Sequence, residues 1–265
     1  MPTLLDPPRP ESMEPFAHTA ESGPEFTFEQ LTTGADWPLK RLLDIAVASA
    51  LLVVCAPLIL LCMVAVKLTS PGSALYSQIR LGRGRRPYRI FKIRSMTHNC
   101  EAATGARWAT ANDARVTPIG RFLRCSHLDE LPQLWNILRG DMSLVGPRPE
   151  RPELICKLEP AIAHYGERML VRPGVTGLGQ VNLPPDTDLE SVRRKLRYDR
   201  YYVANGGLWL DLRLLAATGL YLLAIPFRIS CAALLLPGPR EVEALSVPLE
   251  VSVANLQALS CGETR

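Results

Sequence analysis

Residues 45–66 read IAVASALLVVCAPLILLCMVAV, 22 residues without a single charge. As a straight helix they would rise about 33 Å, enough to cross the hydrocarbon core of a bilayer. Two features complicate a simple span. Pro57 sits near the middle, so each half reaches only about 15–18 Å. Both flanks are basic, with Lys40 and Arg41 before and Lys67 and an arginine run after. The tendency of basic flanks to stay in the cytosol then puts both ends on one side. A spanning helix and a bent one that enters and leaves a single leaflet both remain open from the residues, and the bent form satisfies both observations.

Outward from this run the charge is unevenly spread. Residues 1–36 hold seven acids against Arg9, and 241–265 hold four acids and Arg265, leaving 28 Lys and Arg against 15 Asp and Glu in 37–240. Such a basic body attracts phosphates, as nucleotides, nucleic acid or an anionic bilayer face. The Pro-rich acidic leader, 1–36, reads as disordered. No secretory signal peptide is visible. The seven cysteines are scattered without a CxxC pair, which argues against a zinc site or disulfide framework and suits a reducing compartment.

Residues 74–95, ALYSQIRLGRGRRPYRIFKIRS, alternate around Gly82-Arg83-Gly84 and predict a β-hairpin with five arginines between 80 and 89. Residues 99–120 read as a loop and roughly 132–139 as a helix. Thr187-Asp-Leu-Glu190 reads as a capping box opening a helix to about Asn205, whose basic side (Arg193, Arg194, Lys195, Arg197, Arg200) reads as solvated or phosphate-facing. Residues 208–236 are apolar but interrupted by Asp211, Arg213, Pro226 and Arg228. The uncharged stretch within it, 214–227, is only 14 residues, short for a span and suited to the membrane interface. The end, from 241, reads as a loose tail.

The chemistry concentrates in Arg124–Glu150, RCSHLDELPQLWNILRGDMSLVGPRPE. Asp129 and Glu130 are adjacent acids at a helix entrance. Either Ser126 caps a helix starting at 127, or Pro132 takes the first helical position. Both place Asp129 where a helix N-terminus favours an ionised carboxylate and a bound phosphate. A carboxylate can attack phosphorus, and a second acid can help hold a divalent ion.

This string, with KRLLDIAVASALLVVCAPL, FKIRSM, VRPGVTGLGQVN and LWLDLRLL, resembles the bacterial sugar transferases, the monotopic polyprenyl-phosphate phosphoglycosyl transferases. The match runs in the family's order from Lys40 to Ile225, about 70% of the chain. The resemblance implies a two-step reaction in which Asp129 is the nucleophile toward the sugar-linked phosphate of a UDP-sugar, expelling UMP. A polyprenyl (undecaprenyl) phosphate then takes the phosphosugar from the aspartate. It implies Glu130 as partner acid, Mg²⁺ at Asp129 and Glu130, and phosphate or substrate contacts from Lys92, Arg94, Arg124 and the Pro147-Arg148-Pro149 motif. It also implies a re-entrant helix bent at Ala56-Pro57, where the family usually has Ser-Pro. Other departures are His127 in place of a frequent serine, Ile93 in FKIRSM, and Leu178-Gly179 in the GLGQVN loop.

The expected fold is therefore α+β, predominantly helical and membrane-associated (monotopic), with that re-entrant helix, a β-hairpin and interfacial amphipathic helices. Expected regions are the leader 1–36, the membrane helix 37–69, the catalytic domain 70–230 and the tail 231–265. Expected partners are a UDP-sugar, polyprenyl phosphate and a phospholipid bilayer, at the cytoplasmic face of a bacterial inner membrane. Nucleic acid is not expected, since the basic residues are not interleaved with aromatics in a reading module. A homodimer is left open. The rival reading is an inactive membrane-anchored protein that binds lipid or a partner.

Overall fold

The computed structural model of the chain describes residues 38–101 and 113–244, so the leader and most of the tail lie outside the described residues. Helix α1, Pro38–Thr69, contains the whole uncharged run and continues through Pro57. It is long and apolar enough to cross a membrane. Val53 and Val54 are 76% and 74% exposed, with Leu60 and Leu61 close behind. A helix that is apolar all round and left uncovered by its own protein has hydrocarbon as its matching surroundings.

Strands β1 (Leu75–Leu81) and β2 (Pro87–Ile93) form the expected antiparallel hairpin, in register Tyr76 with Lys92 and Arg80 with Tyr88. Strand alternation thus puts Arg80, Ile90 and Lys92 on one face. The tip is a 3₁₀ turn at Arg83–Arg85, where Gly84 and Arg85 take left-handed backbone angles. Helix α2 (Pro118–Cys125) begins inside the stretch expected to be a loop. Thr117 caps it, its Oγ1 accepting from Gly120 N at 3.0 Å, and Pro118 opens it. A Cβ on Gly120 would collide with the backbone of Ser95, so this helix lies directly against the chain leaving the hairpin.

A 3₁₀ turn at Leu128–Glu130 leads into α3 (Gln133–Arg139). Strand β3 (Ser143–Val145), α4 (Pro152–Ala161) and a 3₁₀ turn at Tyr165–Met169 follow. Strand β4 (Gly174–Thr176) pairs parallel with β3. Next come α5 (Leu178–Asn182), α6 (Leu189–Asn205), α7 (Leu208–Leu222), α8 (Phe227–Ala233) and α9 (Pro239–Ala244). The architecture is α+β and predominantly helical.

Three expectations need correction. The cap of α6 is Asp188, whose Oδ1 accepts from Ser191 N at 2.7 Å while Ser191 Oγ accepts from Asp188 N; Thr187 stands one residue outside the box. The basic side of α6 is not a free solvated face, because Lys195 is buried on Asp186 and Arg200 binds Glu167, each at 2.7 Å. The packed body also passes residue 230 and the start of the expected tail at 241, since Leu236 and Val242 belong to the main core.

That core joins Ala48 of α1 to Ile137, Met142, Val145, Tyr202 and Leu214. A second cluster packs Leu81 against α4 and α6, through Ile155, Ile162 and Leu196. A third joins Cys62 and Val66 of α1 to Ile93 and Leu123. Helix α1 is thus gripped toward both ends, while Val53–Leu58 contribute to none of the three clusters.

The N-terminal grip is polar and buried. Lys40, 5% exposed, donates to Asp211 Oδ2 at 2.5 Å, Val145 O at 3.1 Å and Tyr202 Oη at 3.2 Å. Asp44 Oδ1 accepts from Leu144 N and Ser143 Oγ. Arg41 donates to the carbonyls of Ile137 and Leu138 at the end of α3. Lys40 and Arg41, read from the sequence as a basic flank, are therefore bound within the fold.

Removing one member of a buried ion pair leaves a bare charge, at a cost of about 3–5 kcal/mol, whereas an apolar pair of similar size is near neutral. Lys40→Met should lose stability on that scale, and Lys40→Met/Asp211→Leu should recover most of it, read by thermal unfolding in detergent. A double variant as unstable as the single one would mean that the pair does not answer its own charges.

Candidate active site

The turn carrying Asp129 is set by its neighbours. Helix α2 ends at Ser126, whose hydroxyl donates back to Phe122 O, so Ser126 closes this helix and does not open the next. His127 then takes φ 56°, turning the chain into the short 3₁₀ segment. Pro132 precedes α3 as its cap residue. The Ser126 start expected from the sequence is not adopted and the Pro132 start holds to within one residue, so Asp129 stands in a turn between two helices. Leu128 anchors that turn in the cluster of Cys62, Val66, Ile93 and Leu123.

The two acids have different surroundings. Glu130 Oε1 accepts from Lys92 Nζ at 2.7 Å and from Arg148 Nη2 at 2.8 Å. Asp129 is buried, yet its carboxylate accepts no hydrogen bond from the described residues. Burial would raise the Glu130 carboxyl, but Arg148 and Lys92 overcome it and hold the group far below the usual carboxylate range. Burial pushes Asp129 up, helped by the charge of Glu130, against the weaker pull of Lys92, Arg124 and Arg148. Paired groups with diverging pKa values mark a division of roles. Here Glu130 anchors two cations and Asp129 stays uncommitted.

Arg148 is carried on a tightly held loop. Its own carbonyl accepts from Arg168 Nη2 at 2.9 Å. Pro147 O accepts from Gly174 N at 2.9 Å, Pro149 O from Arg80 Nη1 at 3.0 Å, and Glu150 O from Leu81 N at 3.2 Å. Four consecutive carbonyls are fixed, adding to the restriction the two prolines impose. Arg168 is buried and fixed in turn, by Asp199 at 2.8 Å and Tyr165 Oη at 2.7 Å. A Cβ on Gly146 would strike the carbonyl of Arg172, which explains the glycine where β3 meets this loop.

Of the residues singled out from the sequence, Asp129, Glu130, Lys92 and Arg148 come together, and Pro147 and Pro149 frame Arg148. Arg124 lies close enough to act on Asp129 electrostatically while its Nε donates to Ser95 Oγ at 2.8 Å. Arg94 is elsewhere: buried, it donates to Ser70 O, Ser70 Oγ and Pro71 O, tying the end of α1 to the hairpin. Its place is structural because the backbone carbonyls at a helix end need donors. Arg80, Gln133 and Arg168 were not singled out. Arg80 and Gln133 line one cleft with Ile90, Lys92, Arg148 and Pro149. Hairpin alternation carried a signal for Arg80; none marked Arg168.

Among the described residues no group of three or more His, Cys, Asp or Glu side chains comes together as a metal cage. Asp129 and Glu130 are adjacent and anionic, which suits a hard cation whose other ligands are waters and substrate phosphates, as Mg²⁺ commonly has.

Residues 35–224 match the family model described as "Bacterial sugar transferase". The chain is 42% identical over 180 residues to the UDP-N-acetylgalactosamine-undecaprenyl-phosphate N-acetylgalactosaminephosphotransferase of Aeromonas hydrophila, covering 68% of this chain and 42% of that protein. It is 40% identical over 193 residues to the UDP-glucose:undecaprenyl-phosphate glucose-1-phosphate transferase of Klebsiella pneumoniae, covering 72% and 41%. A protein of the same name from Caulobacter vibrioides is 41% identical over 209 residues, covering 76% and 78%. The match thus spans about two fifths of the Aeromonas and Klebsiella proteins and over three quarters of the Caulobacter one. The chain belongs to the bacterial sugar transferase family.

Proposed function

We propose that this protein transfers a sugar-1-phosphate from a UDP-sugar to undecaprenyl phosphate, as a first membrane step in building a bacterial polysaccharide. The observation that carries the reading is the buried, uncommitted carboxylate of Asp129 beside a Glu130 held by Lys92 and Arg148. The printed names of the relatives supply the donor and acceptor classes.

An Asp129 oxygen attacks the sugar-bearing phosphorus, the bond from that phosphorus to the bridging oxygen breaks, and UMP leaves with the bond's electrons. The phosphosugar is now an acyl phosphate on Asp129. An oxygen of undecaprenyl phosphate attacks the same phosphorus, frees the carboxylate and departs as the polyprenyl diphosphate sugar. Arg148 and Lys92 are placed to meet the phosphate oxygens, Arg by a two-pronged contact and Lys as a point charge. Glu130 keeps both cations aimed before substrate arrives. Mg²⁺, held by Asp129 and Glu130, would supply further neutralisation of phosphate charge.

The same reading puts the site at the cytoplasmic face of the inner membrane, with α1 re-entrant and bent at Ala56-Pro57. The grip on α1 toward both ends by one body, with Val53–Leu58 bare between, supports it. So does the mooring of Leu128 beside Cys62 and Val66. Exposed Leu222, Leu223, Ile229 and Leu235 around α7 and α8 suit a bilayer interface.

Two outcomes follow for Asp129→Asn. With UDP-sugar radiolabelled in its sugar phosphate and Mg²⁺ present, the wild type should acquire covalent label and release UMP, and the variant should do neither. Turnover surviving in the variant, or no UMP from any UDP-sugar supplied with undecaprenyl phosphate, would defeat the proposal. The variant should also be more stable than the wild type at neutral pH. A carboxyl whose folded pKa is raised weakens folding once ionised, so the gain is absent below about pH 4 and grows as pH rises through the folded value. Melting curves across pH read this, and a gain of equal size at pH 3 would contradict it.

A further inference from the structure

Two donors in the cleft beside the acids have no acceptor. Gln133 is 2% exposed, and its Nε2 has no hydrogen-bond partner; the side chain of Arg80 is 18% exposed, but its Nε is buried and likewise without a hydrogen-bond partner. Both side chains line the same cleft as Lys92 and Arg148. Buried N–H groups are rarely left unpaired in a folded protein, because each one forfeits its hydration with nothing in return. Arg80 has no freedom to turn away. Its Nη1 donates to Pro149 O at 3.0 Å, and Glu150 lies 3.6 Å from the same nitrogen. Arg80, Lys92 and Arg148 bring three positive charges to the cleft. Glu130 answers two of them and Glu150 faces the third. Adding an oxygen-rich anion would satisfy both idle donors.

Arg148 and Pro149 also wall a second, mostly apolar cleft with Leu81, Ile155, Met169 and Pro173. The order of surfaces is therefore the two acids, a donor-lined cleft, and an apolar one, with Arg148 common to the last two. That is the order of parts in a nucleoside diphosphate sugar read from the attacked phosphorus to the nucleoside. Resting on the transfer proposed above, we propose that Gln133 Nε2 and Arg80 Nε bind the departing phosphate of the nucleoside monophosphate. They hold it in the ground state and on departure, and the acceptor phosphate, which approaches the same phosphorus opposite Asp129, enters past the same two donors.

The whole chain in detergent, assayed with UDP-sugar and undecaprenyl phosphate and inhibited by added UMP, tests these roles. Gln133→Met removes the N–H at nearly constant volume, and Arg80→Lys keeps the charge but loses Nε–H. Each should raise the KM for UDP-sugar and the Ki for UMP about tenfold, the scale of one lost hydrogen bond to a charged group, and the KM for undecaprenyl phosphate should rise with them. Melting profiles show whether each variant is folded; if Gln133→Met is not, Arg80→Lys on the hairpin carries the test. Unaltered UMP inhibition, as expected if buried water alone serves these donors, would overturn the inference while leaving the transfer reaction standing. So would a KM for UDP-sugar that stays at the wild-type value in folded variants. Failure of the wild type to release UMP would instead remove the transfer reading itself.

Discussion

A lysine sealed from water at the base of an apolar helix dictates much of this structure. Lys40 has to be answered, and the answers come from Asp211, 171 residues away, from Tyr202 and from the carbonyl of Val145. The last of these matters most. Strand β3 is three residues long, with one edge paired to β4 and the other completed by side chains of α1, through Lys40 and Asp44. The next residues along the chain are Gly146, Pro147 and Arg148. The apolar helix and Arg148 are thus joined through one short strand, with no flexible linker between them.

The same economy of placement separates two neighbouring carboxylates. Nothing in their order distinguishes Asp129 from Glu130, and the difference comes from reach. The longer side chain meets Lys92 and Arg148 and is locked as an anion. The shorter one stays in the buried turn, influenced by the same cations at a distance. Preorganisation of the site rests on this difference, since the cations are aimed by a group that has no covalent part in the proposed reaction.

Features that depend on short-range pattern were legible in the sequence. The uncharged run, the hairpin and the helix after Pro132 follow from periodicity and turn chemistry. The meeting of Asp129, Glu130, Lys92 and Arg148 was legible only through family resemblance. What escaped was set by distant contacts. The roles of Lys40, Arg94 and Lys195 depend on partners in other elements, and a basic side chain looks the same in sequence whether it faces phosphate, water or a buried acid. Helix α2 escaped for another reason: eight residues carry too few apolar positions to show a period, although Thr117-Pro118 gave its start. The Asp188 cap was displaced by one because Thr187 and Asp188 are both good caps and the choice fell to Ser191.

Leu128 sits one residue before Asp129 and packs against the far end of α1. That moors the turn carrying Asp129 against the apolar helix. A carrier with a long isoprenoid tail would be met where it already floats, offering its headgroup while the tail stays dissolved in oil. Lifting such a tail into water would cost about 0.8 kcal/mol for every methylene exposed. On the proposed function, a protein standing at that shoreline would leave the lipid at home, and only the water-soluble sugar donor would travel.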